Sequence, residues 1–293
     1  MDRMRDQSLP PTRNRNRTRR AAIALVLVAL MLGTAVAADA HDTWLISATN
    51  FGRVGTPFRL GLTSGETFPN DDFAIVENRV ARAVVREAGV TRLLPRPTAA
   101  ALRLEYMWTP RAAGVASIGI ELQPRTLTLE PRLIDQYLGE IDASDAVRAA
   151  WKSFGDKKKW TESYTKHAMT FVRIAPAKAN AAWIADKSWT RPLGLALELV
   201  PERDPTDLHA GDTLVVRVLR RGVGVPGFSV GAIREGRTKA IFFHADSAGR
   251  ARVIVDADGR WLLNGTSLRR STTGATVWES DFVTATVHVA PRR

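Results

Sequence analysis

No cysteine occurs among the 293 residues. That absence excludes disulfides, thiolate metal sites, iron–sulfur clusters and cysteine nucleophiles together. Histidine is scarce, with five residues: His41, His167, His209, His244 and His288. There is no α/β alternation, no internal repeat, and no low-complexity tract past the arginine-rich start. What the chain does have is positive charge, +12 in all. Residues 1–40 hold seven Arg and three Asp, so the remainder carries +8. Those remaining charges are scattered rather than striped, which argues against a nucleic-acid partner. Lys157-Lys158-Lys159 is the one sharp run and reads as a solvated loop.

The first 40 residues have the three parts of a secretory signal. Arg13, Arg15, Arg17, Arg19 and Arg20 form the basic region, Ala21 to Ala38 the apolar one, and Ala38-Asp39-Ala40 an A-x-A cleavage site. Cleavage there leaves a mature chain that begins at His41, exported to the periplasm. Left uncleaved, the apolar run is long enough to anchor the protein in the inner membrane, which is the alternative localisation and the only membrane contact expected. Thr18-Arg19-Arg20 also fits a twin-arginine signal, so the pattern does not choose between the two export routes.

Past the leader the pattern is mainly β. Thr43 to Phe51, Pro57 to Thr63, Leu102 to Thr109 and Gly114 to Leu122 read as strands, the last with clean alternation. Ala74 to Glu87 fits helix by spacing and strand by its β-branched content. Pro131 to Ile141 is helical, because Leu133, Ile134, Tyr137, Leu138 and Ile141 share a face and Pro131 suits a first turn. Ser144 is placed to cap a second short helix that runs to Trp151. Ala168 to Ile174 reads as strand, and Pro176 to Pro192 as a connection. From Leu195 onward about seven short strands follow, punctuated by His209–Asp212, Asp246–Gly249 and Asp256–Gly259 turn groups. The expectation is two β-sandwich-like domains, residues 41–192 with a short helical insertion and residues 193–293 immunoglobulin- or prealbumin-like.

Several stretches in order resemble one bacterial family. They are Ala40-His41-Asp42-Thr43-Trp44-Leu45, Gly65-Glu66-Thr67-Phe68-Pro69, Ile134 to Glu140, Glu162 to Ala168 with Phe171 to Ile174, Leu197 to Pro201, Ala210 to Leu214, and Trp278 to Phe282. This is similar to an exported family of unknown-function domains associated with bacterial nickel and cobalt uptake. The resemblance implies a periplasmic β-rich protein tied to metal binding or uptake, with a metal-uptake membrane transporter as partner. In one stretch the chain departs from it. Relatives often carry a histidine near the strand after a tryptophan, where Asn264-Gly265-Thr266-Ser267-Leu268-Arg269 stands here.

His41 has its own physical argument. Cleavage after Ala40 would give it a free amine, whose pKa lies near 8, beside its imidazole. Amine and ring Nδ1 of one residue chelate a transition metal together, and imidazole suits Ni, Cu, Zn and Fe, with Cu(II) bound most tightly; cobalt enters through the family resemblance. Asp42 offers an oxygen ligand and His167 a second imidazole, since it shares a strand face with Met169 and Phe171. The leading expectation is therefore a non-enzymatic periplasmic metal-binding protein with His41, Asp42 and His167 as ligands. The runner-up is a sandwich module that binds a glycan, a peptide or a transporter through its tryptophans and basic surface. A third reading, serine hydrolase, rests on Gly227-Phe228-Ser229-Val230-Gly231, a G-x-S-x-G pattern that needs a strand, a sharp turn and a helix around it. Asp256-Ala257-Asp258-Gly259 lacks the closing glutamate of a calcium loop and reads as a hairpin turn.

Overall fold

The computed structural model describes residues 41–154, 159–178, 186–274 and 276–292. The expected leader, residues 1–40, lies outside them, as do most of the lysine run and the middle of the 176–192 connection. The chain is mainly β, with two sandwich-like halves and, among the described residues, two short α-helices. Residues 41–293 form one compact unit.

The first half stacks two sheets. One has the order β1 (Asp42–Ile46), β3 (Phe58–Gly65), β7 (Leu104–Trp108), β6 (Thr98–Ala99). Facing it are β5 (Val90–Leu93), β4 (Val80–Glu87), β8 (Gly114–Leu122) and β10 (Trp160–Ala175), with β2 (Phe51–Arg53) and β9 (Arg125–Leu129) also paired to β10. Leu45, Leu60, Leu62 and Leu104 from one sheet meet Val85, Ile118, Ile120, Val172 and Ile174 from the other. The ambiguous 74–87 stretch resolves into a single 3-10 turn at Glu77–Arg79 followed by strand β4.

The second half is an immunoglobulin-like sandwich in build. Sheet β11 (Leu197–Pro201), β13 (Asp212–Arg220), β14 (Val223–Gly224), with β17 (Arg250–Val255) on β13, covers β16 (Ile241–His244), β15 (Ser229–Arg234), β18 (Gly259–Arg270) and β19 (Trp278–Ala290). The short β12 (Leu208–His209) pairs with the end of β19. Leu197, Leu199, Val216 and Val218 pack on Val230, Leu263, Val283 and Ala285. The Asp256–Gly259 turn is not a hairpin: β17 and β18, on either side of it, belong to different sheets.

Strand β10 joins the halves. Its first part lies antiparallel to β9 and parallel to β19, from Glu162↔Trp278 to Thr170↔Thr286. Its last part changes partners to β8 and β2. An eleven-stranded sheet therefore crosses the expected 192/193 boundary without a break. Because side chains alternate along a strand, β10 serves two cores. Ala168, Val172 and Ile174 enter the first, and Met169 and Phe171 the second.

The helices α1 (Pro131–Glu140) and α2 (Asp145–Lys152) cover the start of β10. Pro131 opens α1, and Ile134, Tyr137 and Leu138 form its buried face. Ser144 caps α2 by accepting from the Val147 amide. Under them, Trp160 stacks on Trp278 with centroids 4.8 Å apart. Among the described residues six tryptophans are buried and Trp151 is partly so. The tryptophan-faced surface of the runner-up reading does not form among the described residues.

Candidate functional site

His41 sits at the mouth of β1. From Asp42 onward the backbone is in register with β3, beginning at Asp42↔Gly65. The Thr284 hydroxyl donates to the Thr43 carbonyl at 2.5 Å. The Lys166 ammonium, on β10, donates to the carbonyl of His41 itself. Residue 41 is thus held to β10 through its carbonyl, just ahead of a strand tied to β3 and β19.

The His41 ring lies flat on Phe73, with centroids 4.7 Å apart and planes 3° apart. Its Nε2 is buried, makes no hydrogen bond, and faces Glu66 Oε1 at 3.5 Å. Burial pushes the ring below the ordinary histidine pKa; Glu66 opposes this and Lys166 adds to it. The imidazole is therefore neutral at neutral pH, the form that ligates metals.

Glu66 owes its place to the loop after β3. Its amide donates to Asp72 Oδ2 at 2.9 Å, and the Asp72 and Phe73 amides both return to the Ser64 carbonyl. Gly65 makes this fold possible. A Cβ there would stand 2.6 Å from Asp72 Oδ2 and 2.8 Å from the Trp44 ring.

The three residues expected to share a metal are not gathered together. Asp42 points to Asn264, whose side-chain amide donates to Asp42 Oδ2 at 2.6 Å. Burial raises the Asp42 pKa against the pull of Asn264, Lys166 and His41. Asn264 opens the 264–269 stretch, where the chain departs from the expected family pattern, and it lies beside Asp42 at the start of β1. Its own Oδ1 fits only because residue 231 is glycine, where a Cβ would come within 2.3 Å.

His167 follows Lys166 on β10, so it projects to the opposite face from His41, into the second core. There it is fully enclosed. Nδ1 lies 2.8 Å from the Phe282 carbonyl, and Nε2 lies 3.3 Å from Glu121 Oε2. The His167 ring holds the Glu121 carboxyl below its usual range, helped by the Ala196 amide. Among the described residues no group of three or more His, Asp or Glu side chains converges on a metal position. Sequence reasoning assigned no role to Glu66, Asp72, Phe73, Lys166 or Asn264. Only Glu66 and Lys166 fell inside the stretches that carried the family resemblance.

The G-x-S-x-G serine lies elsewhere. Ser229 opens strand β15, and no helix follows it, so the elbow geometry is missing. Its hydroxyl donates to Asp142 Oδ2 at 2.5 Å, and His244 Nε2 sits 2.9 Å from the same oxygen. The aspartate stands between serine and histidine, so His244 is not placed as a base for Ser229. His244 thus pairs with Asp142, while Asp246, two residues on, accepts from the Ala248 and Arg250 amides.

No curated protein matches the chain. Among solved structures it is similar to Escherichia coli alpha-2-macroglobulin activated by porcine elastase, at 10% identity and a TM-score of 0.23, covering 85% of this chain and 20% of that one. It is also similar to the Yersinia pseudotuberculosis adhesin InvE, at 10% identity and a TM-score of 0.22, over 86% of this chain and 60% of that one. A marsupial T cell receptor aligns at 12% identity and a TM-score of 0.22, over 86% and 74% of the two chains. The chain thus spans a fifth of the macroglobulin and three fifths of the adhesin. One family model, described as a domain of unknown function (DUF4198), matches residues 38–267. The protein belongs to that family.

Proposed function

We propose that this protein is an exported, non-enzymatic binding protein that takes a transition-metal ion, nickel, cobalt or copper, at His41. The reading needs residues 1–40 to be removed, so that His41 carries a free amine. Amine and Nδ1 then form one chelate, with the metal as cargo. The observation that carries the reading is the setting of the His41 ring: stacked on Phe73, with Nε2 buried, without a hydrogen bond and turned to Glu66. A carboxylate on the far nitrogen of a metal-binding imidazole fixes its tautomer and strengthens Nδ1 as a donor. Glu66 is in place for that role, and Asp72 holds the Glu66 backbone. Asp42 and His167 are left out of the ligand set, Asp42 by its bond to Asn264 and His167 by the strand face it occupies. Two protein donors leave the remaining positions to water, which suits an ion that must be handed on to a membrane transporter.

The test is calorimetric titration of Ni(II), Co(II) and Cu(II) into protein that starts at His41 and into protein with one extra residue before it. Stoichiometric binding is expected only for the first. Equal affinity in both refutes the site.

A further inference from the structure

A separate concave site lies at the edge of the first half, where Arg260 of β18 reaches it from the second. This groove of about 690 Å³ runs between the end of β1, the β2–β3 segment and the tip of the 66–72 loop. That volume is in the range of small-molecule sites. Four guanidinium groups line it, Arg53, Arg59, Arg103 and Arg260, against one carboxylate, Asp71.

Three of the four are already neutralised. Arg103 pairs with Asp71 at 2.6 Å, Arg59 with Glu105 at 3.6 Å and Arg260 with Glu235 at 2.8 Å. Arg53 differs. Its Nη1 donates to the Pro176 carbonyl at 2.8 Å, a neutral acceptor, and it has no acidic partner among the described residues. One uncompensated planar fork matches one carboxylate. A dianion would leave a charge unbalanced.

The rest of the groove is shaped for an apolar body. Phe51 is half exposed beside Arg53, and Pro57, Phe58 and Pro69 complete that wall. Gly61 lets Arg103 lie flat along β3, since a Cβ there would meet Arg103 Cδ at 2.9 Å.

We propose that this groove binds a small organic monocarboxylate with a flat apolar body, its carboxylate on the Arg53 fork and its body against Phe51. This site shares no residue with the His41 ring environment and does not depend on metal binding.

The test titrates the protein with benzoate, acetate and inorganic phosphate, by calorimetry and by amide NMR shifts. Benzoate is expected to bind tighter than acetate, and phosphate weakest. Arg53→Gln is expected to weaken benzoate about tenfold, the loss of a charge-assisted fork. Phe51→Ala is expected to bring benzoate down to the level of acetate. Should either variant fold poorly, the wild-type amide shifts decide: benzoate must move signals in residues 51–61 and 69–71. No such shifts, unchanged benzoate affinity in folded Arg53→Gln, or phosphate bound in preference to benzoate would each overturn the proposal.

Discussion

At residue 41 the imidazole, one position ahead of the first strand, is enclosed. Phe73 covers one face, Glu66 stands at its far nitrogen, and Lys166 holds its carbonyl. Two consequences are measurable. Glu66→Gln removes the carboxylate behind the imidazole while keeping size and shape. Metal affinity at His41 is expected to fall roughly 10-fold or more, the usual effect of losing an outer-sphere partner. Unchanged affinity in calorimetry would show that Glu66 has no orienting role. The second concerns pH. Burial holds His41 and His288 below the ordinary histidine value of 6.5 in the folded state. The unfolded chain therefore binds more protons in that window, and the folded state loses stability as pH falls below about 6.5. Urea midpoints measured at pH 7.5 and at pH 5.5 are expected to be lower at the acid value. His288→Gln, which leaves His41 in place, is expected to reduce the difference without abolishing it.

Among the elements, α1 and β10 show what was legible in the sequence and what was not. Residues 114–122 alternate plainly, and the strand occupies those positions. The helix over 131–140 followed from one apolar face behind a proline. The start of β10 gave no such signal, because Thr161, Glu162, Ser163, Thr165 and Lys166 look like a polar loop. Glu162 is nonetheless fully buried. It accepts from Tyr137 Oη at 2.9 Å and Trp160 Nε1 at 2.8 Å, and from the Ser280 hydroxyl. Two of those three donors lie 25 and 118 residues away, so no local pattern could announce them. The His41 surroundings were hidden for the same reason, being assembled from the 66–73 loop and a strand 125 residues on. Glu162 also fastens α1 to the sheet through Tyr137. Tyr137→Phe leaves the ring packed but strips one donor from a buried carboxyl. The expected cost is about 1.5–3 kcal/mol, read as a lower urea midpoint at unchanged slope. A loss within error would mean that apolar packing alone seats the helix.

For the whole molecule, the partner switching of β10 decides whether there are two folding units or one. The pattern of turns and short strands suggested a division at 192/193, since composition reports where the chain bends and not which strands pair. The parallel register of β10 with β19 joins segments more than a hundred residues apart. Its backbone hydrogen bonds and both cores depend on the same strand. Cutting the chain at 193 would leave β19 with a long unpaired edge, a template for association between copies. It would also remove Met169 and Phe171 from the second core. Residues 193–293 alone are therefore expected to aggregate or to unfold without cooperativity, although their sandwich pattern looks self-sufficient. Residues 41–293 are expected to unfold in one transition, with tryptophan fluorescence and far-ultraviolet circular dichroism coincident in urea. Six buried tryptophans spread over all the cores make fluorescence a reporter of the entire unit. If the fragment instead gave a cooperative transition with the midpoint of the full protein, β10 would be a bridge between two independent sandwiches. The His41 corner, which leans on β10 and on β19, would then span two bodies rather than one.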